Sequence, residues 1–170
     1  MPPHSTATPE KPRNAFPTII FAGLTAGFLD GVAASLHYFI STGNNPTKVF
    51  QYIASAVFGK SAFSGGLGMA GWGIVFHFII AMAFAWLFYL IYSIFFRFLK
   101  NKLIIGIVFG LMVWVIMNLA VVPFTKAPPI PFQIQGAIIN MLILIFMVGL
   151  PISLIIHWYF ATKGKADRSF

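Results

Sequence analysis

A chain of 170 residues is one domain's length, and this one is 59% hydrophobic and 8% charged, with a mean hydropathy of +0.88. Soluble domains carry about 25% charged residues, so a surface covered by water is excluded. The chain has no cysteine, which removes disulfides, zinc–thiolate sites, iron–sulfur ligation and thiol nucleophiles, and its formal net charge is +8. The basic residues lie almost wholly between or outside the apolar runs, with no basic stripe interleaved with stacking aromatics. Anionic lipid headgroups are therefore the expected contact, and nucleic acid is not.

The first 15 residues are rich in Pro, Ser and Thr and read as a disordered tail. The apolar run that follows, about 16–40, is longer than the core of a signal peptide and reads as a retained membrane span. Gly23, Gly27, Asp30, Ala34 and His37 fall on one narrow stripe of it. Gly31 lies beside them. Small residues on such a stripe admit a neighbouring helix, and the acid is then held inside protein rather than in lipid.

Between 41 and 71 lies the first outer loop. Asn44-Asn45-Pro46 is a helix start, and Val49, Phe50, Ile53, Ala56 and Val57 recur at helical spacing, which predicts an interfacial helix over 46–58. A surface helix packed under the headgroups is favoured over a lid. Ser64-Gly65-Gly66-Leu67-Gly68-Met69-Ala70-Gly71 reads as a flexible hinge into the second span, about 72–96. The third span, about 103–122, opens with Gly106 and Gly110, a faint echo of Gly23 and Gly27. A short Pro-rich loop leads to the fourth, about 132–160, in which Pro151 should produce a kink eased by Gly149. Residues 161–170 form a basic tail. Of the 11 Lys and Arg residues, eight fall on the side of the two tails and the short middle loop. That bias predicts both termini in the cytoplasm. The expected fold is an all-α membrane protein: a four-helix transmembrane bundle with a short interfacial helix in the first outer loop.

Every span carries a polar residue in its outer half. At a rise of 1.5 Å per residue, His77 and Asn118 lie roughly 7 Å below the outer helix ends, Asn140 roughly 12 Å and Asp30 roughly 15 Å. His37 lies near the outer surface. Asp30 is the one acid outside the tails, and its cost in lipid, about 2.5–3.5 kcal/mol, points it into the bundle or a cavity. It reads either as a neutral interhelical hydrogen-bonding group or as a proton, cation or ligand site. A histidine, Asn118 and Asn140 are its available partners. His37 and His77 read as structural histidines; bis-histidine haem ligation by the two is a lesser alternative. Asn118 and Asn140 read as interhelical hydrogen-bonding groups before ligands. No nucleotide-binding, zinc-protease or serine-hydrolase motif occurs, so no enzyme and no metal site are expected.

Gly23-x-x-Ala26-Gly27-x-x-Asp30, Gln51-x-Ile53-Ala54-Ser55, His77-Phe78-x-Ile80-Ala81 and Met117-Asn118-x-x-Val121-x-Pro123 together resemble a family of small uncharacterised bacterial inner-membrane proteins. More loosely, the layout is similar to the YagU-like inner-membrane proteins. The likeness runs from Gly23 to Pro123. It implies a four-span topology and a place in the bacterial inner membrane, with no reaction attached. The looser relatives are linked to acid tolerance, and this sequence lacks their long polar outer insertion. Two functional expectations stand side by side. One is a polar pocket of Asp30, His37, His77, Asn118 and Asn140 that binds a small ligand or lipid or handles protons. The other is an accessory subunit packed against a larger membrane complex through the faces of Gly23, Gly27 and Gly31 or of Gly106 and Gly110; self-association is a separate expectation, because a bundle this small encloses little pathway alone.

Overall fold

The computed structural model describes residues 14–166, with side chains to residue 162. The expected disordered tail therefore lies, up to residue 13, outside the described residues. Helix α1 is Ala15–Thr42, started by the Asn14 side chain accepting from the Phe16 amide and ended by Gly43 in the left-handed region. Then follow α2 Thr47–Phe58, α3 Gly66–Leu99, α4 Lys102–Val115, α5 Ile134–Ile143 and α6 Leu150–Ala166. Helix α4 continues through a π-helical segment, Ile116–Val121, into a short 3-10 turn, Val122–Phe124. A second π-helical segment, Leu144–Gly149, joins α5 to α6. Four stretches are long and apolar enough to cross a bilayer: Ala15–Thr42, Gly66–Leu99, Lys102–Phe124 and Ile134–Thr162. The chain is an all-α, four-helix polytopic membrane protein.

Both π-helical segments end two residues before a proline, Pro123 and Pro151. A proline lacks the N–H that the carbonyl four residues earlier would accept from, and its ring pushes that carbonyl aside. Widening the turn to i→i+5 pairing relieves both problems. The bend expected at Pro151 thus takes the form of a π-helical segment. Gly149, expected to ease a bend, has a different task. A Cβ there would fall inside the Gly106 carbonyl oxygen and 2.8 Å from the Gly110 Cα. A Cβ on Gly110 would lie 2.6 Å from the Ile145 Cα, so the third and fourth spans cross backbone to backbone. Gly23 and Gly27 act likewise between α1 and α3, facing Met82 and Phe78. Both glycine faces are therefore filled inside the chain. The helix-packing role expected for Gly23, Gly27, Gly31, Gly106 and Gly110 is met between helices of this chain, so an accessory-subunit contact would need another surface.

The hinge expected at 64–71 is another correction. Helix α3 already begins at Gly66, six residues before the anticipated span. Its first turns are held down by α2, whose Gln51 Nε2 donates to the Gly66 carbonyl at 3.0 Å. At Gly73 a Cβ would overlap the Phe50 carbonyl, so α2 lies with its backbone on α3. Gly73→Val should therefore unseat α2, and limited proteolysis from the outer side should then cut at Lys48, which intact α2 protects by its helical fold. The second outer loop is tied to the same helix: the Lys126 amide donates to the Ala56 carbonyl at 3.0 Å and Tyr52 Oη to the Pro128 carbonyl at 3.4 Å.

Burial holds the Tyr52 phenol above its ordinary pKa of 10.0. The folded chain thus keeps the phenolic proton more tightly than the unfolded chain does. This contribution is full below about pH 10 and is lost as pH rises through the folded value. Tyr52→Phe should reduce the late, high-pH part of an absorbance titration by one tyrosinate.

The large buried side chains sit in the half of the bundle nearer the two chain ends: Phe88, Ile105, Phe109, Ile152 and Ile156 are fully enclosed. Phe88 and Phe109 are in ring contact at 4.5 Å. In the same half Tyr92 Oη bonds His157 Nδ1, and Ser153 Oγ donates to the Lys102 carbonyl at 2.7 Å, which locks α3, α4 and α6 together. The opposite half, on the side of α2, is packed differently. There α2 covers α1 and α3, while no residue of Ile116–Val121 or of α5 is buried.

Candidate functional site

The site grows from the absence of side chains on α1. Gly27 and Gly31 leave a flat strip, and the His77 ring of α3 lies across it, with Nε2 3.3 Å from where a Gly31 Cβ would stand. His77 Nε2–H donates to the Gly27 carbonyl at 2.8 Å. A carbonyl only accepts, so this bond puts a proton on Nε2 and leaves Nδ1 to accept or to take a second proton. On one side of the ring Asp30 Oδ2 stands 3.9 Å from the same nitrogen, an ion-pair distance rather than a hydrogen bond. The two side chains are 17% and 13% exposed, which leaves little water to screen them. Asp30 and His77 form a unit that is neutral overall whether the proton is on the acid or on the imidazole. At membrane depth that is the form of charge pairing with the least desolvation cost.

The ring is also walled by aromatics. Phe50 of α2 meets it edge-on at 6.0 Å and Phe78 at 5.6 Å. Phe50 was not anticipated as a site residue. Its signal in the sequence was only that of the apolar face of α2; that this face closes over a histidine from another span depends on the glycine contact between α2 and α3.

His77 also lines a groove of 430 Å³ that runs between α1, α2 and α3. Phe28, Val32, Leu36, Phe39, Phe50 and Ile74 supply its apolar walls. Phe28, Val32, Leu36 and Phe39 are exposed on the surface that the bilayer would cover, so the groove opens sideways into lipid. Two polar side chains reach it, His77 and Ser35. Ser35 Oγ is buried and has no hydrogen-bond partner among the described residues. A serine in a helix can bond back to the carbonyl one turn earlier, so an unsatisfied hydroxyl in a groove that a histidine also lines is a place for a ligand's polar atom.

The other expected site residues are elsewhere. His37 is half-buried and lies outside the groove lining. Asn118 is exposed, and its Nδ2 donates to the Trp114 carbonyl of its own helix at 2.9 Å. Asn140 is exposed on α5 and makes no side-chain hydrogen bond among the described residues. The expected pocket of five polar residues thus reduces to Asp30 and His77, joined by Ser35. For the bis-histidine alternative, His77 Nε2 is engaged by the Gly27 carbonyl and His37 is not among the residues that line the groove. Among the described residues no three His, Asp or Glu side chains converge on a point.

No family model, curated protein or solved structure matches this chain. The functional reading therefore stands on the site itself.

Proposed function

We propose that this protein binds a single-chain amphiphile that enters sideways from the outer leaflet. The observation that carries the reading is His77, anchored by Gly27 and Asp30, at the polar end of an otherwise apolar groove whose wall is open to the bilayer. Its volume falls within the roughly 300–1,000 Å³ of small-molecule sites, and such sites pair apolar walls with a few convergent polar groups. A hydroxyl or carbonyl head would meet Ser35 Oγ and the imidazole, and the chain would lie along Phe28, Val32 and Phe39. Asp30 is then a positioning residue: it fixes the ring and balances any charge on it.

A complete proton path across the membrane is less well supported. Between the Asp30–His77 pair and the Tyr92–His157 pair stands the apolar plug of Phe84, Phe88, Phe109, Ile105 and Ile152. The excess of Lys and Arg on one side supports a bacterial inner-membrane protein with both termini in the cytoplasm, and the motifs from Gly23 to Pro123 support membership of the small inner-membrane family they resemble.

The test is photolabelling in native membranes with a diazirine-bearing long-chain alcohol. Label should concentrate on residues 28–39 of α1 and 74–78 of α3 and should be displaced by excess unlabelled alcohol. Even labelling of all four lipid-facing spans would refute the site.

A further inference from the structure

We propose that the outer half of the third and fourth spans is the interface of a parallel two-fold dimer of this chain. The inference is independent of the groove, which lies between α1, α2 and α3. Its first support is packing. Neither Ile116–Val121 nor α5 has a buried residue, although each belongs to a membrane span. The continuation of the same span in α6 buries Ile152, Ser153, Ile156 and Tyr159. Ile116 and Met117 rest partly on the core and the rest of this half is exposed or half-buried, so spans tightly packed at one end are only partly covered at the other and have room for a neighbour.

The second support is chemical. Asn118 and Asn140 are both exposed on this half. Each lies six residues from the outer end of its span, Phe124 and Ile134, so both are about 9 Å deep. Asn118 uses one N–H on its own helix, leaving its Oδ1 free, and Asn140 has neither donor nor acceptor engaged among the described residues. A carboxamide facing hydrocarbon lacks the hydrogen bonds that water would give it.

The occupant follows from symmetry. Two copies with the same topology relate by an axis along the membrane normal, and that axis keeps every residue at its own depth. Asn140 then meets carboxamides at its own level, Asn140 or Asn118 of the second copy. A carboxamide is both donor and acceptor, so it is its own complement. Gly136, one turn before Asn140, gives the approach: a Cβ there meets nothing within 4 Å in the isolated chain.

That open space separates folding from association. Gly136→Leu should leave the single chain intact, with unchanged expression and melting temperature, and should weaken dimerisation about tenfold, the scale of one or two interhelical polar contacts. Fluorescence energy transfer between differently tagged copies in lipid vesicles, read against lipid dilution, measures this directly. Because the chain contains no cysteine, Asn140→Cys offers a clean second reading. Oxidation of native membranes should convert it to a band of twice the mass, while Ile79→Cys on the lipid face of α3 should stay monomeric. Energy transfer that does not depend on Gly136, with no cross-link at position 140, would overturn the proposal. So would a cross-link from position 140 to a different protein.

Discussion

His77→Ala empties the groove. The substitution removes the one ring that lines the cavity and also reaches Asp30, so retention of a labelled amphiphile should fall at least tenfold, about 1.4 kcal/mol or more of binding. Asp30→Asn should cost less at the groove, because the carboxamide keeps the shape while losing the charge that balances the imidazole. Thermal stability separates this from a structural role. A polar contact between membrane helices is worth about 0.6–2 kcal/mol, so both variants should fold with modest losses in melting temperature. Loss of expression in Asp30→Asn would instead make the acid an interhelical hydrogen-bonding group, as a bland reading of a lone intramembrane carboxyl would have it. Ser35→Ala provides the finer check: it leaves Asp30 and His77 in place, so any drop in affinity belongs to the bound molecule's own polar atom.

Gly149→Leu should be the most damaging single change in the bundle. Its side chain would start inside the Gly106 carbonyl, with the Gly110 backbone next to it. Backbone cannot rotate away as a side-chain tip can, so the two spans must separate. Overpacking a tight core typically costs about 1–3 kcal/mol, and a backbone crossing belongs at or above the upper end of that range. The same exchange at Gly136, thirteen residues earlier in the same span, meets open space and should be tolerated. Parallel thermal melts of the two variants in detergent make the comparison. Similar stability in both would mean that the crossing of α4 with the fourth span is not as close as described.

The four spans were legible because a bilayer demands about 20 apolar residues in each, and few other physical requirements write so long a signal. Their observed ends differ mainly at Gly66, where a glycine-rich run that reads as a hinge is recruited into helix by contacts with α2. The stripe of Gly23, Gly27 and Gly31 was visible as a packing face, but not the identity of what packs on it. Spacing along one helix contains no information about whether the neighbour is in the same chain. The option of a histidine beside Asp30 followed from the scarcity of other partners; that it is His77 rather than His37 depends on which ring the glycine strip can hold. Asn118 and Asn140 were harder to place. A single polar residue in an apolar helix has no periodicity to show which way it faces, so depth was readable and direction was not. Pro123 and Pro151 announced a break in helical pairing, and the shape of that break, a π-helical segment two residues upstream, depends on neighbouring turns that the sequence alone does not rank.

The most direct test of the central claim is native mass spectrometry of the protein released gently from its own membrane. The groove at His77 predicts a discrete added mass of a small amphiphile, absent from His77→Ala and reduced in Ser35→Ala, while the Gly136→Leu variant keeps it. A chain that carries no adduct, or one whose adducts are the same bulk lipids in wild type and His77→Ala alike, would contradict the assignment of this groove as a binding site.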